Sequence, residues 1–140
     1  MLSFVEAFAR WTADWPNVLF RFYGIGRRAA AGEAHARGLR LLKENLSPAQ
    51  RKQFETRGYF EVSGGATGRR YRIKTGVQMN VEQLDLRGRP VCILCFVPEG
   101  GLVVGDVLLA QKLALELFEL ETLVTANKFS PHPSLFAGMP

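Results

Sequence analysis

The stretch that most constrains the fold is Val91 to Val97, VCILCFV, an unbroken apolar run. As a strand it is greasy on both faces. Val91, Ile93, Cys95 and Val97 point one way, and Cys92, Leu94 and Phe96 point the other. Such a strand is normally interior to a sheet and covered on each side. The chain must therefore supply neighbouring strands and layers on opposite faces of the sheet, or a second subunit must seal one face.

The neighbours lie upstream. Tyr59 to Val62 reads as a first strand, and Ser63 to Gly68 as a flexible turn. Arg69 to Lys74 then alternates, with Tyr71 and Ile73 on one face and Arg70, Arg72 and Lys74 on the other. Thr75-Gly76 turns the chain. Val77, Met79 and Val81 alternate with Gln78, Asn80 and Glu82, in a strand that extends with a kink to Leu86. Asp85 to Pro90 turns into the apolar run. The expectation is a three- to four-stranded antiparallel meander over about 59–97.

Helix signals flank it. Ser3 and Glu6 have the capping-box spacing, and Phe4, Phe8, Trp11 and Trp15 recur on one helical face before Pro16. That stripe reads as core packing or as a docking face for a partner. Asn17 to Tyr23 reads equally as strand or helix. Arg27 to Leu46 is a helix weakened by Gly32 and Gly38. Ser47-Pro48-Ala49-Gln50 starts another, which ends at Gly58.

After a loop over 98–105, Asp106 is a fair N-cap for one long helix from Val107 to Ala126. Leu109, Leu113, Leu117, Leu120 and Val124 form its central apolar stripe, and Lys112, Glu116 and Glu119 mark its wet side. Leu108, Leu115 and Leu123 fall inside the wet arc. With so much extra apolar surface the helix is deeply buried or forms a subunit contact, which makes these three candidate interface residues together with Phe4, Phe8, Trp11 and Trp15. The fold class is α+β, with N-terminal helices and one long C-terminal helix packed on the sheet. Residues 1–127 form one domain, helical over 1–46 and α+β over 47–127, and 128–140 form a loosely ordered tail.

A chain of 140 residues buries a core without a disulfide or metal. Its net charge of +5 is unevenly placed. Residues 1–60 carry 10 Lys and Arg against 5 Asp and Glu, 61–90 carry 6 against 3, and 91–140 carry 2 against 5. A basic front and an acidic rear suit an anionic partner or head-to-tail self-association. No secretory signal is visible and no run approaches bilayer length, so a cytoplasmic location without membrane contact is expected.

Cys92 and Cys95 have C-x-x-C spacing, but residues three apart on a strand face opposite ways, and His35 and His132 complete no ligand set. They read as buried small hydrophobes. Carboxylates at Glu116, Glu119 and Glu121 read as solvated. No catalytic, cofactor or metal site is expected, and the balance leans against an enzyme. The best polar candidate is a basic sheet face, with Arg69, Arg70, Arg72 and Lys74 joined by Arg87 and Arg89 from a turn. Glycines 64, 65 and 68 would let a backbone approach closely. Sheet-type single-strand binders interleave aromatics for base stacking, and none is expected on this face. The alternative is a charged outer face that blocks strand-on-strand aggregation.

Gly68-Arg69-Arg70-Tyr71-Arg72-Ile73, Asn80-Val81, Cys95-Phe96-x-Pro98, Gly105-Asp106-Val107 and Leu109-Ala110-Gln111-Lys112-Leu113-x-Leu115-Glu116 together resemble a group of small hypothetical proteins from bacterial genomes. The resemblance covers roughly 46–127 and carries no activity, ligand or site residue. The expected function is a non-catalytic binding or assembly protein that self-associates or docks on a larger protein. The alternative is a nucleic-acid-binding module using the basic face.

Overall fold

The computed structural model describes residues 27–98 and 100–131. The aromatic stripe at Phe4, Phe8, Trp11 and Trp15, the stretch Asn17–Tyr23 and His132 lie outside the described residues. The elements in chain order are α1 (Arg27–Glu44), α2 (Pro48–Arg57), β1 (Tyr59–Ser63), β2 (Arg70–Lys74), β3 (Val81–Leu84), β4 (Pro90–Cys95), α3 (Val104–Leu117), α4 (Glu119–Thr125) and β5 (Asn127–Phe129). The fold is α+β, with one antiparallel sheet in the order β1-β2-β3-β4-β5.

Local chemistry sets the joints between elements. At the start of α2 the Gln50 amide donates to Ser47 Oγ at 3.2 Å, and the Ser47 amide donates to Gln50 Oε1 at 3.0 Å. Two amides that the first turn leaves without partners are thus satisfied. At its end Gly58 takes φ 71°, the left-handed conformation a glycine adopts without a Cβ clash, and its N–H donates to the Phe54 carbonyl.

Sheet register sorts side chains between two faces. Phe60 pairs with Ile73 and Val62 with Tyr71. Ile73 pairs with Val81, and Val81 with Leu94. This inner row joins Leu42 and Leu46 of α1 and its following turn, and Leu108 and Leu115 of α3, in one core. α3 lies over β1 and β2, α2 packs on β1, and α1 packs on α3. The α1–α3 crossing is close because both helices present glycine. A Cβ at Gly38 would sit 2.9 Å from Val103 Cγ2, and one at Gly105 would run into the Gly38 backbone.

β4 is interior, between β3 and β5, as its two-faced apolar sequence requires. Leu94 is buried on the inner face and Cys95 on the outer, while Val91 and Val97 at either end are exposed. Cover on both sides is thus confined to the middle of the run. A bulge explains Val91. Gln83 pairs with Cys92 but Leu84 with Pro90, so Val91 is the extra residue.

Four expectations are corrected. The sheet has five strands, because Asn127–Phe129, within the segment read as helix end and tail, pairs with β4. Residues 77–80 are not strand. Asn80 Nδ2 donates to the Lys74 carbonyl and the Lys74 amide to the Asn80 carbonyl, closing a turn in which Met79 takes φ 50°. Asp106 is not the cap of the final helix, since Val103 occupies that position and Asp106 lies in the first turn. The long helix is interrupted at Phe118 (φ −139°, ψ 46°) and becomes two.

Candidate functional site

The C-terminal helices are turned over relative to the sequence expectation. Leu108 and Leu115, read as an outward contact, lie wholly in the core, and Leu123 packs against it. The inward face also carries Gln111, Lys112, Glu119 and Thr122, all buried. The spacing 108, 111, 115, 119, 122 keeps a helical face inward across the interruption at Phe118. Opposite it stand Leu113, Leu117, Leu120 and Val124, exposed to 39%, 63%, 56% and 85%. Leu113 and Leu117 lie one turn apart on α3, and Leu120 and Val124 one turn apart on α4, on either side of the interruption at Phe118. They form an apolar ridge in water.

The inward face tolerates polar groups because each has a partner. Gln111 and Asn80 exchange amide hydrogen bonds of 3.1 and 2.8 Å, so both buried amides are satisfied. Lys112 Nζ lies 2.6 Å from Glu116 Oε2 one helical turn on. Thr122 Oγ1 lies 3.0 and 2.6 Å from the Ala114 and Phe118 carbonyls, which also accept the Phe118 and Thr122 amides.

Glu119, only 1% exposed, is the centre of a buried polar cluster. Its Oε2 accepts from the Ala66 and Thr67 amides at 2.9 and 2.7 Å. Its Oε1 accepts from the Tyr71 hydroxyl at 2.7 Å and from Thr67 Oγ1. Burial alone would push this carboxyl up, but the hydrogen bonds from Thr67, Tyr71 and the Ala66 amide hold it below the ordinary carboxylate value. Burial, and then the bond to Glu119, push the Tyr71 phenol well above its ordinary value. The glycines of this turn serve the same dock. The Gly65 amide donates to the Leu115 carbonyl at 3.1 Å, and a Cβ on Gly65 or Gly64 would collide with the Glu116 carbonyl or the Glu119 carboxylate. The close approach the glycines permit is thus to the chain's own helices. The carboxylate read as solvated is a structural anion.

The basic face is equally occupied. Arg70 and Arg72 both pair with Glu61, and Arg72 and Lys74 both pair with Glu82. Burial would raise Glu61, but the two guanidinium groups hold it below its ordinary value. The register places an aromatic, Tyr59, on this face opposite Lys74, contrary to expectation. Arg72 lies over its ring, 4.7 Å from the centroid, and Arg57 donates to its hydroxyl at 2.9 Å. One face of the ring is already covered. In the β3–β4 turn Arg89 pairs with Asp85 at 2.9 Å, while Arg69 and Arg87 are exposed. On the strands three cations thus meet two carboxylates, a net excess of one.

Cys92 and Cys95 are free thiols on opposite faces of β4. Among the described residues no group of three or more His, Cys, Asp and Glu is placed to hold a metal ion. No helix among them is long and apolar enough to cross a membrane.

Sequence reasoning missed the ridge because it ranked faces by leucine content. It missed Glu119 because its partners lie about fifty residues upstream. The available signal was the Gly64-Gly65 pair, which called for a close approach without saying to what.

No protein family, curated protein or solved structure matches the chain.

Proposed function

We propose that the chain is a non-catalytic assembly protein that associates with further copies of itself through the outward face of α3 and α4. One observation carries this reading. The helices bury their more polar face, with each polar group satisfied, and expose a row of leucines. Exposed apolar side chains scattered singly are ordinary on a soluble surface, but four on two consecutive helices, paired one turn apart on each, mark an interaction site. The buried faces of α3 and α4 offer no alternative arrangement. Turning the helices to hide the leucines would strip Gln111 and Glu119 of their partners.

The paired state of the basic face also favours a protein partner. An anionic polymer binding Arg70, Arg72 and Lys74 would first have to displace Glu61 and Glu82.

Light scattering on the eluting protein tests the proposal. The expected mass is a multiple of the 15.6 kDa chain, falling to a single chain in Leu117→Glu/Leu120→Glu. Both positions are exposed, so the variant should keep the parent's far-ultraviolet circular dichroism. A parent that stays monomeric up to its solubility limit would overturn self-association. Retention of a different protein by the ridge would leave docking without assembly.

A further inference from the structure

We infer that the turn between β3 and β4 of one copy docks on the ridge of another, with Leu86 seated among the ridge leucines and Arg87 paired with Glu121 at the rim. The inference rests on the assembly reading and names its contact.

Its first support is the state of Leu86. Turn tips are ordinarily polar. Leu86 nevertheless sits in one, exposed to 100%. Among the described residues outside the ridge, the next most exposed large apolar side chain is Val97, at 63%. Leu86 therefore adds nothing to the packing of its own chain. Its own ridge does not cover it either, since the ridge is exposed in the same structure.

Its second support is the turn itself, which Asp85 fixes from within. The Asp85 amide donates to the Arg89 carbonyl at 2.9 Å, and the Gly88 amide to the Asp85 carbonyl at 3.0 Å, with Gly88 at φ 76°. Asp85 Oδ1 accepts from the Arg87 and Arg89 amides at 2.8 and 2.9 Å, and Oδ2 lies 2.9 Å from Arg89 Nε. Arg72 reaches from β2 to the Gly88 carbonyl at 3.3 Å. Residues 86 and 87 are thus presented from a fixed backbone, which need not be ordered on docking.

Its third support is charge. Arg87 and Glu121 are both exposed, and neither side chain forms an ion pair among the described residues. Glu121 lies three residues before Val124 on α4, one turn from it. A leucine beside an unpaired guanidinium therefore meets a ridge beside an unpaired carboxylate. Such a pair at the rim steers encounter, while the apolar seat holds the contact.

The contact joins two different surfaces, and every chain carries one of each. A variant that spoils the turn should therefore complement one that spoils the ridge. Leu86→Ser removes the seated side chain without changing charge, and Leu117→Glu/Leu120→Glu removes the seat. By light scattering each alone should be a single chain, with the parent's far-ultraviolet circular dichroism. An equal mixture should contain pairs of chains and nothing larger. Charge exchange tests the rim. Arg87→Glu and Glu121→Arg should each raise the concentration needed for half assembly by about 2- to 5-fold, and the two in one chain should restore the parent's value.

A Leu86→Ser variant that assembles like the parent, beside a monomeric ridge variant, would sink this inference and leave the assembly reading standing. A mixture that stays monomeric, or a charge exchange without recovery, would overturn it as well. A monomeric parent would sink the assembly reading itself.

Discussion

Glu119 joins parts of the chain that no local signal connects. Two amides, a threonine hydroxyl and a phenol converge on one carboxylate, which stays ionised although it is buried. Glu119→Gln keeps one acceptor oxygen but turns an amide group toward donors. At neutral pH it should cost about 1–3 kcal/mol in urea unfolding, the penalty for leaving buried donors unsatisfied. The sign with pH follows from the depressed folded-state value. The stabilisation is fully present above the unfolded value of about 4.3 and is lost as pH falls through the lower folded value. The gap between parent and variant should therefore close in acid. A gap that stays unchanged as the pH is lowered until both forms unfold in acid would mean the carboxylate charge is not its source.

Among the elements, two of the helix glycines make contrasting demands. Gly32 is exposed, with nothing within 4 Å of a built Cβ, whereas Gly105 abuts the Gly38 backbone. Gly32→Ala should stabilise by about 0.5–1 kcal/mol, the propensity difference. Gly105→Ala should destabilise by about 1–3 kcal/mol or more, because α1 and α3 must separate. Equal thermal shifts in the two variants would refute the close crossing. Elements such as α2 were legible from sequence because Ser47, Pro48, Gln50 and Gly58 act within a few residues of one another. The strand read over 69–74 was legible from alternation, and β4 from its double apolar face. The orientation of α3 and α4 was not. Side-chain type ranks Lys112 and Glu119 as wet, while burial here depends on partners in other elements. A three-residue strand such as β5 is too short to show a period, and the turn over 75–80 imitates one by chance.

On the scale of the whole molecule, charge is separated along the chain and locally neutralised on the sheet. Long-range attraction between opposite ends should speed encounter, while the apolar ridge should set how long a contact lasts. Raising salt from about 0.1 M to about 1 M shortens the screening length from about 10 Å to about 3 Å. Stopped-flow light scattering should show slower association with an unchanged dissociation rate. Faster dissociation instead would place charged pairs inside the contact.

The dock between the first hairpin and the last helices also bears on how the chain is made. Ala66 and Thr67 emerge early in synthesis, yet the oxygen that receives their amides belongs to residue 119. No shorter nascent chain holds that acceptor, and β4 lacks one flanking strand until residue 129 has been added. Native closure of this body therefore waits until residue 129 has been made.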